Sequence, residues 1–468
     1  MSALARRWRT FWFESEVLVV RLTTFRVVFF SLLGLDLWLL MVPHGQRHGF
    51  GEFNVSHIPA LDRWLFNPNA AVMTAAYLLA GWLALRVALG LALRASLIAL
   101  TLIYNATYFW SQVDSYQHHY LIGLLLLLCC FVPFEATAGV ERGQRAAASP
   151  GVKAWAIRLM YVQIAIVYFY TALTKLTPLW LDGWALDRIV SVPWARALYA
   201  SCAGALGWSA LGPYALVAHV IMIWQFCVAI AFLVPRLRKL ACATGPLFHG
   251  LVEALDLKIG WFSYYMIAAY YILLFPDDWF LALCRPLEGL RPHLRSVYER
   301  LTRPGPEASV LLRVATALGC AGAALLVPLP GRAGLALGVA LIVMTGLQRV
   351  GPAPATAGST RAAAHGLIAL LMVVLVRLSD VPYDYYRYWA SQLSEQGKLE
   401  LAAEKYELAN HFARGEPARH LRLAELYVAL GRYDDALRTY RRALAFEGQR
   451  ERAQRGIERV LGRTRAAR

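Results

Sequence analysis

The sequence predicts an all-α polytopic transmembrane protein of about eleven spans, with a small C-terminal helical-repeat domain. Three observations carry that prediction. Of 468 residues, 58% are hydrophobic and only 16% charged, and the mean hydropathy is +0.45, a balance that a soluble domain of this size does not show. The apolar residues fall into runs of spanning length, separated by short connections that hold most of the cations behind the +17 net charge. That placement is a topology signal of membrane proteins, so no nucleic-acid partner is expected. From residue 381 onward the chain turns polar and repeats itself.

Residues 1–21 read as an interfacial amphipathic helix, with Trp8, Phe11, Trp12 and Phe13 beside Arg6, Arg7 and Arg9. No short apolar core with a small-residue cleavage site follows the arginines, so this is not a cleavable signal peptide. Apolar runs follow near 22–43, 70–90, 92–112, 118–134, 154–176, 214–235, 238–256 and 259–276. The last three lie near 309–328, 331–348 and 363–380. They divide into a first membrane domain at 22–280 and additional helices at 281–380. The seven cysteines are scattered with no metal-binding spacing, so neither a disulfide framework nor a metal site is expected.

Cations set the orientation. Arg142, Arg145 and Lys153 share one connection; Arg236, Arg238 and Lys239 share another; Arg285, Arg291, Arg295, Arg300 and Arg303 share a third. If every run spans once, all three lie on the side of the N-terminus, which the positive-inside rule makes cytoplasmic. Connections 44–69, 113–117 and 177–213 face outward. Eleven spans in a plasma (inner) membrane put the C-terminus outside, and a single false run reverses it.

In 381–468, Gly397, Ala402 and Tyr406 recur thirty-four residues later as Gly431, Ala436 and Tyr440. That is the tetratricopeptide period, with small residues where paired helices approach and aromatics between them. Residues 449–463 read as a capping helix. The unit is either a helical spacer or a groove for a client peptide or protein.

Polar residues inside apolar runs are the functional candidates. Lys175 stands at the end of the run 154–176. Removed from water, its neutral amine is favoured, and a neutral lysine can act as a general base. The ordinary alternative is a lysine that snorkels to the headgroups. His118 and His119 open the run 118–134. His249, Glu253 and Asp256 are spaced to share one helical face. Asp36 needs a partner inside its run, and Arg158 and Gln163 are placed to bridge helices. In the eleven-span topology Lys175, His118 and His249 converge near the outer face, where one cavity between their three runs would bring them together.

These residues carry a resemblance. His118-His119-Tyr120-Leu121, then Gln163 with Tyr168-Phe169, Lys175-Leu176, Trp180 and Gly183, then Phe248-His249 and Ile259-Gly260-Trp261-Phe262 occur in order. The pattern resembles the horizontally transferred transmembrane domain family, which includes the vitamin K-dependent gamma-glutamyl carboxylases. The resemblance implies a lyase in which a lysine deprotonates reduced vitamin K. Oxygen adds, the strong base formed removes a glutamate γ-proton, and carbon dioxide traps the carbanion. Lys175 matches the base and His118 the assisting histidine. Gln117, His119, Tyr168, Trp180, His249 and Glu253 are then expected to line the substrate or quinone pocket. The chain departs from the pattern at Gln117, where the family has asparagine, and at Thr174, where the carboxylase has a first lysine. The carboxylase's lumenal recognition domain has no counterpart.

The first functional expectation is therefore a carboxylase-like membrane enzyme that uses a reduced vitamin K or another quinol on glutamate side chains of an exported peptide or protein. The second is a non-catalytic membrane scaffold or export partner whose repeats hold a client. The third is a transporter or quinone-binding protein, for which an inverted repeat with paired broken helices would be the mark.

Overall fold

The computed structural model of the protein describes residues 2–14, 16–42, 58, 60, 70–110, 117–139, 151–257, 259–290, 292, 310–327, 331–346, 358–378, 381–413, 420–446 and 449–466. The N-terminal stretch is not one helix. Helix α1 (Ala3–Arg9) widens into a π-helical turn at Thr10–Glu14 and gives way to a strand, β1 (Glu16–Leu18). That strand pairs antiparallel with β2 (Gly151–Lys153), Val17 opposite Val152. The interfacial-helix expectation is corrected accordingly: β-branched residues opposite one another favour a short ladder over a continued helix. Trp8 and Phe13 remain exposed, as an interfacial segment requires.

Helix α2 (Val19–Asp36) runs on through a π-helical turn to Met41, and α3 (Ala70–Leu89) packs along it. Next come α4 (Leu93–Trp110), α5 (Gln117–Cys129) and α6 (Trp155–Leu173). After two short helical turns, α7 (Pro193–Leu206), α8 (Gly212–Leu233) and α9 (Pro235–Ala254) follow. Helix α10 (Phe262–Ala269) continues as a π-helix over Tyr270–Leu274 and bends into α11 (Asp277–Cys284).

Among the described residues, four stretches are long and apolar enough to cross a bilayer: Val19–Met41, Val72–Leu89, Trp155–Leu173 and Gly212–Leu233. The pair Phe262–Leu274 and Asp277–Cys284, bent by 110°, makes a fifth if counted as one span. The expectation of about eleven spans is corrected to these. Helix α4 carries Arg94, Thr101, Asn105 and Thr107, and α5 stops at Cys129, ahead of Pro133. Helix α9 opens on Arg236, Arg238 and Lys239 and contains Pro246. Helices α12 (Val310–Leu326), α13 (Gly331–Gly346) and α14 (Gly358–Leu378) have only shorter apolar stretches. Parity of the span count therefore no longer fixes the side of the C-terminus. Arg142, Arg145, Arg291, Arg295, Arg300 and Arg303 lie outside the described residues.

The bend at Phe275–Pro276 interrupts the backbone ladder, and the carbonyls of Ile272, Leu273, Leu274 and Phe275 find side-chain donors. Arg21, 2% exposed, sends Nη1 to the carbonyls of Ile272 at 2.7 Å and Phe275 at 2.8 Å, and Nη2 to Asp277 Oδ1 at 2.7 Å. Tyr161 Oη donates to Leu273 O at 2.6 Å and Cys242 Sγ to Leu274 O at 3.2 Å. Proline supplies no N–H and the bilayer core no water, so a broken span needs donors of this kind.

The tail is built as the repeat predicts. Helices α15 (Val381–Glu395) and α16 (Leu399–Phe412) form one pair, α17 (His420–Ala429) and α18 (Tyr433–Ala443) the second, and α19 (Arg450–Ala466) the cap. Gly397 and Gly431 turn the chain at φ 73° and 72°. The flanking bonds match residue for residue: Lys398 N to Leu393 O and Arg432 N to Tyr427 O are both 2.8 Å. Ala402 and Ala436 are buried at the helix contacts, with Tyr406 and Tyr440 beside them.

Candidate functional site

Tyr168 lies on α6, in an apolar sequence that buries it against α8 and α9. Its ring stands among Trp224, Phe232, His249 and Tyr270, with centroids 5.6–6.5 Å away. Its hydroxyl lies 2.7 Å from His249 Nε2 and accepts a bond from Tyr270 Oη at 3.0 Å. Tyr270 belongs to the π-helical part of the broken span, whose wider turn sets it beside α9. The approach is close because α9 has a glycine there: a Cβ at Gly245 would meet the Tyr270 ring at 2.0 Å. His249 is 2% exposed, and its Nδ1 has no hydrogen-bond partner.

Phe262 links this trio to α5. The His118 ring lies 5.6 Å from Phe262 on one side and the His249 ring 6.0 Å on another. His118 is half-buried and packs on His119 at 4.2 Å. His119 turns inward, its Nδ1 3.1 Å from Tyr104 Oη, and serves the contact between α4 and α5. The Gln117 side chain lies outside the described residues.

Lys175 sits just beyond the end of α6, outside the apolar span. Its Nζ folds back to donate to the Thr171 carbonyl at 2.9 Å and faces the Trp180 ring at 5.0 Å. The carbonyl end of a helix and the face of an indole both attract a cation. Burial acts the other way and pulls the ammonium down to about 8. No carboxylate pairs with it among the described residues.

The structure thus joins His118 and His249 through Phe262, and His249 to Tyr168 on α6, while Lys175 lies beyond the end of that helix, against Thr171 and Trp180. Glu253 is half-buried and makes no hydrogen bond or ion pair among the described residues. The shared face expected for His249, Glu253 and Asp256 is corrected: α9 ends at Ala254, and Asp256 follows at φ 50°. An apolar cleft of ≈ 440 Å³ lies along α9 between Pro246, Gly250, Tyr271 and Phe275, and it contains none of Lys175, His118 and His249. Asp36 has its partner, Tyr265 Oη donating to Oδ2 at 2.8 Å. The Arg158 guanidinium lies 5.1 Å over Phe11. No group of three or more His, Cys, Asp or Glu suited to a metal occurs among the described residues.

A family model described as the HTTM domain matches residues 17–279, more than half of the chain. The chain belongs to the HTTM family. This is the domain of vitamin K-dependent carboxylase, and in this chain it takes in every residue from Arg21 through the Tyr168–His249–Tyr270 trio to the bend at Pro276. A second model, described as a tetratricopeptide repeat, matches residues 393–459. No curated protein and no solved structure matches. Sequence reading of the HTTM domain missed Tyr270 and Gly245, and it quoted Phe262 only within the resemblance motif, with no role at the site. The only signal was the aromatic density of 261–275, which does not say which ring faces His249.

Proposed function

We propose that the HTTM domain of this chain is a carboxylase-type membrane enzyme that works with a reduced quinone, Lys175 being the base. The observation that carries the reading is the state of Lys175, a half-buried amine lowered to about 8 with no carboxylate paired to it among the described residues. Such an amine takes a proton from a phenolic hydroxyl at little cost. Its surroundings then stabilise the ammonium: the Thr171 carbonyl accepts from it and the Trp180 face lies over it. Phe262, Phe248 and the rings of Tyr168 and Tyr270 suit a flat apolar ring, and His118 stands at the edge of that aromatic wall to assist. When bound, a reduced quinone of the vitamin K type supplies, with O2, the base strength needed at a glutamate γ-carbon that CO2 then carboxylates.

The repeat domain is the natural holder of the exported peptide or protein. A half-buried aromatic stack supports that role: Tyr386 lies 5.8 Å from Phe412 and 6.4 Å from Trp389. It equally supports the second reading, a non-catalytic maturation partner that holds a client through its repeats.

Quinol epoxidation coupled to labelled bicarbonate incorporation into a glutamate peptide, in nanodiscs, tests the first reading. Lys175→Arg removes the neutral base and keeps the cation, so turnover falls by at least about 100-fold while folding is unchanged. His118→Ala falls less. Full activity in Lys175→Arg, as a snorkelling lysine predicts, overturns the base assignment. A wild-type chain inactive across several quinols and peptides favours the second reading.

A further inference from the structure

We propose that residues 178–211, the cap that joins α6 to α8, lie in the bilayer interface, with Trp194 and Leu198 of α7 seated among lipid acyl chains. The inference does not depend on the carboxylase reading. It begins with where the cap is held. One stretch long enough to cross a bilayer ends at Leu173, and the next begins at Gly212. Two consecutive spans leave both ends of the cap at one bilayer surface. Within the cap the chain is a packed unit. Leu186, Val190 and Ala195 bury against Tyr214 and Ala218 of α8, and the Tyr199 ring meets the Tyr214 ring edge-on at 4.4 Å. Arg196 Nε donates to Val190 O at 2.8 Å and Nη2 to Asp187 O at 2.6 Å, which ties α7 to the turn before it. Gly183 turns the chain at φ 87°, where a Cβ would meet the backbone nitrogen of Ala215 at 2.6 Å.

Along α7, Ala195, Tyr199 and Ala203 form the inner row, one helical turn apart. That row completes the core of the cap, yet the outer side is apolar as well. Trp184, Trp194, Leu198, Leu206 and Trp208 are each 44–57% exposed. Arg196 is the one charged residue of α7, and Asp187 and Val190 engage it. A helix packed on one side and facing water on the other carries charged and polar residues outside. An uncharged, tryptophan-rich outer face suits a helix lying in the plane of the interface. What covers this face follows from what adjoins it. Exposed apolar side chains continue from the cap through Leu176 and Leu173 to Tyr170 on α6, and through Leu216 to Val220 on α8. Those are the sides that two spans turn to lipid, so lipid continues over the cap. Trp184, Trp194 and Trp208 then stand at the headgroup boundary, where indole rings collect.

The full chain in nanodiscs, made with a phosphatidylcholine that carries a diazirine in its acyl chain, reads the contact. After photolysis, the peptide covering 193–211 is expected to carry lipid adducts at a yield comparable to the peptide holding Leu216 and Val220, while α19 in the tail carries none. Hydroxyl-radical footprinting of the same nanodiscs reads water. Leu198 is expected to be oxidised about tenfold less than Leu401, which is similarly exposed on the tail. Trp194→Glu combined with Leu198→Glu leaves the inner row intact and sets two carboxylates where lipid is proposed. Adducts on 193–211 then fall at least about tenfold and oxidation rises to match. The wild-type labelling decides the matter by itself if that variant does not fold. Full oxidation of Trp194 and Leu198 without adducts would put the cap in water and overturn the proposal. Protection from both reagents would overturn it in favour of a second copy of the chain on this face. Unchanged adducts in the folded double variant would also overturn it. None of these results bears on Lys175, so the carboxylase reading stands or falls separately.

Discussion

Gly245 gives Tyr270 the space its ring occupies: a Cβ at Gly245 would lie 2.0 Å from the tyrosine Cζ. The clash is with a rigid ring buried between α9 and α6, not with the loose end of a flexible side chain. Gly245→Ala is expected to destabilise the membrane domain by about 1–3 kcal/mol and to pull Tyr270 away from Tyr168. Thermal unfolding in detergent checks the first part. An alanine variant that melts with the wild type would mean the ring can move aside at no cost.

Arg21 ties the first span to the broken one by donating to Ile272, Phe275 and Asp277. Arg21→Met keeps the bulk and leaves those carbonyls unmet, which is expected to cost about 3 kcal/mol or more. Arg21→Lys recovers only part, because the three hydrogens of an ammonium sit on one nitrogen and cannot span acceptors that the guanidinium meets with two separate nitrogens. Limited proteolysis around Phe275–Pro276, compared with resistance to denaturing detergent, reads the effect. Equal resistance in Arg21→Met would show that the bend holds without its clamp.

If Lys175 is the base proposed above, turnover is expected to depend on pH in a fixed direction. Its ammonium is lowered from the usual 10.5 to about 8 by burial. A step that needs the neutral amine therefore rises with pH and levels off above about 8. The linked stability has the same sign: it is full above the unfolded value of about 10.4, falls as pH drops to about 8, and then levels. The ascending limb of kcat/KM for quinol epoxidation should sit near 8 and vanish with the residual activity of Lys175→Arg. A profile flat from pH 6 to 10 would remove the lysine from the proton transfer.

Gly397 and Gly431 stand at the same turn of successive repeats, both near φ 72°. Gly397→Ala and Gly431→Ala should each cost about 1 kcal/mol, because an L side chain is strained there. Hydrogen exchange of the amides in α16 and α18 measures both. Unequal effects, with one near zero, would deny the equivalence of the two units.

The parts of this protein that were legible in advance share one property: they depend on residues near in sequence. A thirty-four-residue recurrence placed Gly397 and Gly431 at equivalent turns because each turn closes within six residues. The apolar runs located helices for the same reason. They overcounted spans because hydropathy over a window does not register where Pro133 ends α5 or Pro276 bends the chain. At the site, Lys175 and Tyr168 were visible as residues of one apolar run, and His249 as a polar group in another.

Sequence alone determined the class of the fold and the repeat with its period, and it singled out the polar residues of the apolar runs, since composition and helical spacing express themselves locally. Only tertiary structure decided which of those residues meet. Tyr270 reaches Tyr168 across 102 positions and Arg21 reaches Asp277 across 256. Those meetings depend on a glycine that lets one helix close on a ring and on a break that turns carbonyls toward distant donors. Helix packing sets both, and no single helix carries the information in its own periodicity.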